Sequence, residues 1–155
     1  MKKIALCGFM GCGKSTIARL LKSKYSLEYV DTDEYVEKQA DMKISDIFKN
    51  FGEQCFRDKE YDAISTLSGK NIPVLSLGGG AVMKERNVKK LKENGYTIVF
   101  LNTSLETIKE RVKNDPSRPL FDNNVNELYK KRMPIYSSVC DINIDCDNKS
   151  ADEIA

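Results

Sequence analysis

The chain has 155 residues, enough for one domain with its own hydrophobic core. Its net charge of +2 gives no strong case for a nucleic-acid-binding or anionic-membrane surface, and no apolar stretch approaches the roughly 18 residues of a membrane-spanning helix. The five cysteines include no C-x-x-C pair, which argues against a disulfide framework or a zinc site and favours a reducing, cytoplasmic compartment. Histidine is absent, which excludes imidazole chemistry.

Strand-like and helix-like patterns alternate along the chain, which predicts an α/β fold with a mostly parallel sheet in a single domain. The predicted strands are residues 3–7, 28–31, 72–77, 96–102 and 141–145. The predicted helices are residues 14–25, 34–40, 45–51, 53–68, 84–94, 104–113 and 125–138. Thr103 and Glu106 have the spacing of a capping box at the start of the sixth helix.

A complete phosphate-binding loop follows the first predicted strand. Residues 8–15, here called the phosphate loop, read Gly-Phe-Met-Gly-Cys-Gly-Lys-Ser and match G-x-x-x-x-G-K-[ST]. Such a loop points backbone N–H groups at phosphate oxygens and delivers the phosphate to a helix N-terminus. Lys14 is predicted to reach the β- and γ-phosphates and Ser15 to bind Mg²⁺. For Cys12 the loop amides could lower the thiol pKa, but a small space-filling residue is the preferred interpretation.

Two aspartates close the second predicted strand. Asp31 and Asp33 are two residues apart, so on a strand they would face the ligand crevice together. Mg²⁺, bound through water, and a substrate hydroxyl are the functional interpretations. A helix N-cap at Asp33, directly before Glu34-Tyr35-Val36, is an equally good explanation from the residues alone.

Three glycines follow the third predicted strand, where they would let the backbone approach a ligand closely. Ser76 is the polar residue at that strand end, and it is predicted to face the water shell of the metal. Residues 114–124 are rich in Pro and Asn and contain Arg118, so they are a candidate lid. Phe48 and Phe56 have the spacing of core residues, whereas Arg57, Arg118 and Arg132 would, by spacing alone, usually be surface arginines.

Together these features resemble those of the shikimate kinases over nearly the whole chain. The stretches that carry the resemblance are residues 8–16, 31–33, 45–48, Gly52 with Glu53, Phe56 with Arg57, 75–81, 117–120, and Arg132 with 134–136. The resemblance implies phosphorylation of the 3-hydroxyl of shikimate by ATP, with Mg²⁺, in the pathway to chorismate and the aromatic amino acids. It also implies a five-stranded parallel sheet in the order 2-3-1-4-5, as in nucleoside monophosphate kinases, with substrate-binding helices at about 33–61 and a lid at about 113–126.

The resemblance also implies roles for individual residues. Lys14, Asp33 and Arg118 would be catalytic; Arg57 and Arg132 would bind the shikimate carboxylate, Asp33 the hydroxyls, and Glu60 would orient Arg57. The full ATP set is Gly11, Cys12, Gly13, Lys14, Ser15, Thr16, Arg111, Arg118 and Lys149. The full substrate set is Asp33, Phe48, Phe56, Arg57, Glu60, Gly78, Gly79, Gly80 and Arg132. Mg²⁺ would bind Ser15 directly, and Asp31 and Ser76 through water.

Three other functions are compatible with parts of the sequence. A gluconate or nucleoside monophosphate kinase of the same fold is the nearest, but Asp33 with two arginines suits an anionic polyol better. A GTP-binding switch is disfavoured because residues 148–151 lack the aspartate of N-K-x-D. A catalytically dead scaffold is disfavoured because Lys14, Ser15 and Asp33 are all present. The expected partners are therefore shikimate and ATP, with no nucleic acid and no membrane, for a monomeric cytoplasmic enzyme.

Overall fold

The computed structural model describes residues 2–112, 124–147 and 149–155. The strands are β1 (Lys3–Cys7), β2 (Tyr29–Asp31), β3 (Val74–Ser76), β4 (Tyr96–Asn102) and β5 (Ile142–Asp145). The helices are α1 (Lys14–Tyr25), α2 (Thr32–Ala40), α3 (Ile44–Phe51), α4 (Glu53–Gly69), α5 (Glu85–Glu93), α6 (Leu105–Val112), α7 (Val125–Val139) and α8 (Ala151–Ile154). All predicted elements are therefore confirmed with small shifts of their ends; α8 and a 3-10 turn at Ala81–Met83 were not predicted.

The strands form one five-stranded sheet in the order β2-β3-β1-β4-β5, and every neighbouring pair is parallel. This confirms the order 2-3-1-4-5. The central strand is paired on both sides, with Ala5 opposite Leu75 and Ile98. Because all strands point the same way, the residues that follow β1, β2 and β3 meet at one edge of the sheet. The phosphate loop, Asp31 and the residues after Ser76 therefore become neighbours.

The core has two parts. The larger surrounds the sheet, and the smaller consists of Val36, Ile47, Phe56 and Ala63, which join α2, α3 and α4. These three helices, up to the middle of α4, contain the predicted substrate-binding region at about 33–61. Most of the predicted lid at about 113–126, Arg118 included, lies outside the described residues. Within the described ranges, no helix is long and apolar enough to cross a membrane.

The predicted capping box at Thr103 is wrong by one residue. Ser104 caps α6, since its Oγ accepts a hydrogen bond from the Thr107 N–H at 3.2 Å. Thr103 is instead buried beside β4, where its hydroxyl has no hydrogen-bond partner among the described residues. A complete capping box occurs between Ser150 and Glu153 at the start of α8.

Candidate active site

A cavity of about 910 Å³ opens at the carboxyl edge of the sheet. The phosphate loop forms one side of it, and the ends of β2 and β3 form another. The lining includes Gly11, Cys12, Gly13, Lys14, Ser15, Thr16, Asp31, Asp33, Ser76, Gly78, Gly79, Arg111 and Lys149. Most residues of the predicted ATP set thus share one cavity with Asp33 and two of the three glycines.

The phosphate loop has the backbone form needed to bind an anion. Gly13 precedes α1 with φ of 104°, a conformation that favours glycine, and the first turn of α1 contains no acidic residue. The positive end of the helix dipole is therefore uncompensated and faces the cavity. The Lys14 ammonium lies over the loop, donating to Gly8 O at 2.6 Å and to Phe9 O at 3.2 Å.

Cys12 fills space inside the loop, as the simpler interpretation predicted. It is buried, and a Cβ atom added to Gly8 would lie 2.6 Å from its sulfur. The backbone of Cys12 also connects the loop to α6, because Cys12 O accepts a hydrogen bond from Arg111 Nη1 at 3.1 Å. The Arg111 side chain therefore lies against the loop that it was predicted to assist.

Oxygen atoms suited to Mg²⁺ lie beside the loop. Asp31 Oδ2 is 3.4 Å from Ser15 Oγ, and the Ser76 hydroxyl is buried opposite Asp31 in the β2–β3 register with no partner among the described residues. Mg²⁺ prefers oxygen ligands and typically uses one or two carboxylates together with phosphate oxygens and water. The chemistry of Ser15, Asp31 and Ser76 therefore fits this ion.

The expectation that Asp31 and Asp33 project from one strand is wrong. The strand β2 ends at Asp31, whose Oδ1 caps α2 by accepting from Asp33 N at 2.9 Å and Glu34 N at 3.1 Å. Asp33 therefore lies in the first turn of a helix, although both carboxylates still line the cavity. A helix N-cap is present, but it is Asp31 and not Asp33, and the second oxygen of Asp31 remains directed at Ser15.

The Asp33 carboxylate is poorly solvated. Its Oδ1 is buried and has no hydrogen-bond partner in the described part of the chain. Burial, and then the nearby charges of Asp31 and Glu60, raise the pKa of Asp33 to about 6. A buried acceptor that faces a cavity needs a partner, and a substrate hydroxyl would supply one.

The glycine turn (residues 78–80) is the surface against which three charged side chains lie. A Cβ atom on Gly78 would collide with the Asp33 carboxylate, one on Gly79 would lie 3.1 Å from Arg132 Nη1, and one on Gly80 would lie 2.6 Å from Arg57 Nη2. None of the three glycines has a positive φ. Glycine is therefore required here for space, not for backbone conformation.

Arg57 forms an ion pair with the buried carboxylate of Glu60. Its Nη1 lies 3.0 Å from Glu60 Oε1, and Glu60 is almost fully buried. Burial raises the pKa of Glu60, and the Arg57 guanidinium limits the rise. Since Glu60 is fixed in the core, it fixes the orientation of Arg57 as well.

The two phenylalanines differ in burial. Phe56 is in the core, as its spacing predicted, with its ring centroid 5.1 Å from that of Phe48. The core prediction for Phe48 is wrong, because this residue is 37% exposed. Phe48 lies in the middle of α3, where its ring packs against Phe56 while part of its side chain stays exposed.

Sequence reasoning missed the residues that hold the glycine turn. Thr32 Oγ1 accepts from Gly78 N at 3.2 Å, Asn87 Nδ2 donates to Ala81 O at 2.8 Å, and the Tyr136 hydroxyl donates to Gly79 O. A signal was present for Tyr136, which follows Arg132 by four residues and so occupies the same face of α7. Thr32 falls in a stretch that carries the family resemblance but no role was predicted for it, and nothing in the sequence marked Asn87.

The chain was compared with known proteins. The family model described as shikimate kinase matches residues 10–155. Shikimate kinases from Persephonella marina and Thermodesulfovibrio yellowstonii are 44% and 40% identical to this chain; the matches cover 99% and 100% of it and 94% and 91% of those proteins.

Among solved structures, a shikimate kinase from Acinetobacter baumannii in complex with shikimate is 32% identical, with a TM-score of 0.88, and the match covers 99% of this chain and 88% of that one. A gluconokinase from Sinorhizobium meliloti has a TM-score of 0.60 at 16% identity, over 99% of this chain and 86% of that one, and shows a shared fold only.

Proposed function

Because the chain belongs to the shikimate kinase family, we propose that it transfers the γ-phosphoryl group of ATP to the 3-hydroxyl of shikimate. The products are shikimate 3-phosphate and ADP, and the step belongs to the route to chorismate and the aromatic amino acids. One observation carries the proposal beyond the family. Asp33, Arg57 and Arg132 lie against three consecutive glycines at the sheet edge that also holds the phosphate loop.

The substrate side matches an anionic polyol. Arg57 and Arg132 offer planar guanidinium groups, which bind a carboxylate through paired hydrogen bonds. Asp33 offers an unpartnered, buried oxygen that would accept hydrogen bonds from ring hydroxyls. Glu60 keeps Arg57 in place before the substrate arrives, so less side-chain entropy is lost on binding. Phe48 and Phe56 form the apolar part of the same region.

The nucleotide side uses the phosphate loop. The N–H groups of the loop and of the first turn of α1 bind phosphate oxygens, and Lys14 moves from the loop carbonyls to the β- and γ-phosphates. Thr16, Arg111 and Lys149 lie along the same cavity, toward the position expected for the rest of the nucleotide. Arg118, predicted to close over the phosphates, lies outside the described residues.

Ser15 would hold Mg²⁺ directly, and Asp31 and Ser76 would hold it through water. When bound, the ion supplies neutralisation of negative charge at the phosphate oxygens. Asp31 is suited to an indirect role because one of its oxygens is already committed to capping α2.

The transfer itself needs positioning and one proton acceptor. The 3-hydroxyl oxygen of shikimate forms a bond to the γ-phosphorus while the bond from that phosphorus to the β–γ bridging oxygen breaks, and ADP leaves. The hydroxyl proton passes to the Asp33 carboxylate, whose raised pKa of about 6 makes it a better base than an ordinary aspartate while leaving it mostly ionised at neutral pH. Lys14 stabilises the charge that develops on the transferred group.

We also propose that the enzyme works as a cytoplasmic monomer. The formal net charge is only +2, and the cysteines are all free, which suits a reducing compartment. Size-exclusion chromatography with light scattering tests the monomer.

An assay of ADP release tests the function. The purified protein, ATP and Mg²⁺ are incubated separately with shikimate, quinate, gluconate and nucleoside monophosphates. We expect kcat/KM for shikimate to exceed that for every other acceptor, and by at least about a hundredfold for the nucleoside monophosphates, which lack the carboxylate that the two arginines would bind. A preference for gluconate or a nucleotide would reject shikimate as the substrate.

A further inference from the structure

The glycine turn is anchored by side chains that do not line the cavity. Thr32, Asn87 and Tyr136 are fully buried, and each forms a hydrogen bond with the backbone of the turn or of the residue after it. They come from three different helices, α2, α5 and α7. Because none of them has any exposed surface, none is placed to touch a bound substrate.

Thr32 extends the β2–β3 pairing beyond the end of β2. Val74 N donates to Glu28 O at 3.2 Å, and equal steps along the two parallel strands lead to Gly78 and Thr32. The chain, however, turns into α2 at Thr32, which commits the Thr32 carbonyl to the helix. The Thr32 hydroxyl takes its place, accepting from Gly78 N at 3.2 Å and donating to Ser76 O at 3.4 Å.

Tyr136 anchors the turn from the opposite side. Its hydroxyl donates to Gly79 O, and its ring packs on Phe100 with the two centroids 5.2 Å apart. The same helix carries Arg132 one turn earlier, and Arg132 Nη1 lies against Gly79. One helix therefore fixes both a backbone group of the turn and the side chain that rests on it.

The anchors matter because the turn has little room to move. Its three missing Cβ atoms would each meet one of Asp33, Arg132 and Arg57, so a displacement of the turn changes all three contacts at once. Displacements of about 1 Å in a binding site can cost about a hundredfold in rate.

We propose that Thr32 and Tyr136 are positioning residues that fix the glycine turn against Asp33, Arg57 and Arg132 and thereby set the affinity for the phosphoryl acceptor. The inference rests on the proposed function, because it takes these three side chains to be the shikimate-binding set. Thr32 reaches the nucleotide side only through the backbone carbonyl of Ser76, so the larger effect is expected on the acceptor.

Four variants test the proposal. Thr32→Val keeps the shape but removes the hydroxyl, Thr32→Ser keeps the hydroxyl, and Tyr136→Phe removes the second anchor. Tyr96→Phe is the matched control, because Tyr96 is also buried and donates to a backbone carbonyl, Ile72 O at 2.5 Å, but at the amino end of β4, away from the cavity. KM for shikimate, KM for ATP and the unfolding temperature are measured for each variant.

We expect Thr32→Val and Tyr136→Phe each to raise KM for shikimate about tenfold, as a lost buried hydrogen bond that leaves a backbone group unpaired would do. KM for ATP should stay within about twofold of wild type. Thr32→Ser should restore most of the shikimate affinity. Tyr96→Phe should lower the unfolding temperature but change neither KM.

Equal rises in both KM values, or effects on shikimate no larger than that of Tyr96→Phe, would overturn the proposal. So would a Thr32→Ser variant as impaired as Thr32→Val. If Thr32→Val does not fold, Tyr136→Phe compared with Tyr96→Phe decides by the same criteria. Failure of the proposed function gives a different result, because wild-type enzyme would then not turn over shikimate at all.

Discussion

The two sides of the proposed active site, the phosphate side and the substrate side, are built in different ways. The phosphate side comes from eight consecutive residues and the helix that follows them, so most of its geometry is local. The substrate side is assembled from the start of α2, the middle of α4, the turn after β3, and α7. A local loop keeps its shape if its own residues are kept, whereas an assembled surface also depends on buried residues that never meet the ligand. The two sides should therefore respond separately to substitution.

The largest expected effect is at Asp33, which belongs to the substrate side but acts on the transferred group. Asp33→Asn keeps the size and removes the proton acceptor, so kcat should fall by about 10²–10⁴-fold. The ATP dissociation constant should change little, because the nucleotide side is untouched. Rapid-quench measurement of a single turnover checks the chemical step. A loss below about tenfold would leave Asp33 as a binding group only.

The two arginines should weaken shikimate alone. Arg57→Ala and Arg132→Ala each remove a charge-assisted contact worth about 1.5–3 kcal/mol, so shikimate should bind roughly ten- to a hundredfold more weakly. Arg86→Ala is the matched control, because Arg86 pairs with Asp58 on the surface. Calorimetric titration with shikimate and with ATP separates the two sides. If both folded variants bind shikimate as wild type does, the carboxylate site has been assigned to the wrong residues.

A methyl group added to the glycine turn should also weaken shikimate binding without affecting ATP binding. Gly80→Ala puts a Cβ atom 2.6 Å from Arg57 Nη2, so the guanidinium must move, and the weakening of its charge-assisted contact predicts a rise in KM for shikimate of about tenfold. Gly69→Ala is the control, since a Cβ atom there meets nothing within 4 Å. Steady-state kinetics at varied shikimate and varied ATP measure the difference. A neutral Gly80→Ala would show that the turn tolerates a side chain and that its space is not needed.

The pH dependence of kcat/KM for shikimate should also come from the substrate side, through Asp33. Protonation of Asp33 removes its ability to accept the hydroxyl proton, so kcat/KM for shikimate should fall about tenfold per pH unit below the pKa of about 6. Folding stability should depend on pH in the opposite direction to kcat/KM. A raised folded-state pKa means that the contribution of Asp33 is fully present below its unfolded pKa and is lost as the pH rises through about 6.

Asp33→Asn should accordingly raise the unfolding temperature of the ligand-free protein at about pH 8, and this gain should vanish below about pH 4. Thermal unfolding across this range measures it. If Asp33→Asn instead lowered the unfolding temperature at about pH 8, the claim that the buried Asp33 charge destabilises the fold would be contradicted.

The smallest effect is expected on the nucleotide side. Arg111 contributes one hydrogen bond to the loop backbone, at 3.1 Å from Cys12 O, and its side chain is largely exposed. Arg111→Ala should therefore raise KM for ATP only about threefold, with KM for shikimate unchanged. A larger effect on shikimate than on ATP would mean that the two sides are not independent.

The contrast between the sides also explains what the sequence could predict. The phosphate loop was predictable because its spacing is contiguous, and the strand order followed from the family resemblance and is confirmed. The placement of Asp33 was missed because the chain enters α2 directly after β2 ends at Asp31, so Asp33 lies in a helical turn and not on an extended strand. The burial of Phe48 was predicted wrongly because helical spacing shows which residues share a face of the helix but not how much of that face is covered by the rest of the protein.

Thr32 and Tyr136 were not predicted for a related reason. Their partners, Gly78 N and Gly79 O, are backbone atoms 46 and 57 residues away in sequence. Every residue has such backbone groups, so the types of residue in the sequence do not indicate these contacts. The reason for three glycines was likewise invisible, since each is needed for a different distant side chain.

The position of the phosphate on the product tests the central claim most directly. Shikimate is incubated with the enzyme, ATP and Mg²⁺, and a phosphorus–proton correlation NMR spectrum of the product identifies the carbon that bears the new ester. The account predicts coupling of the phosphorus to the proton on carbon 3 alone, because Asp33 and the two arginines orient one hydroxyl toward the phosphate loop. Phosphorylation at another hydroxyl, or ADP release without a phosphorylated shikimate, would contradict it.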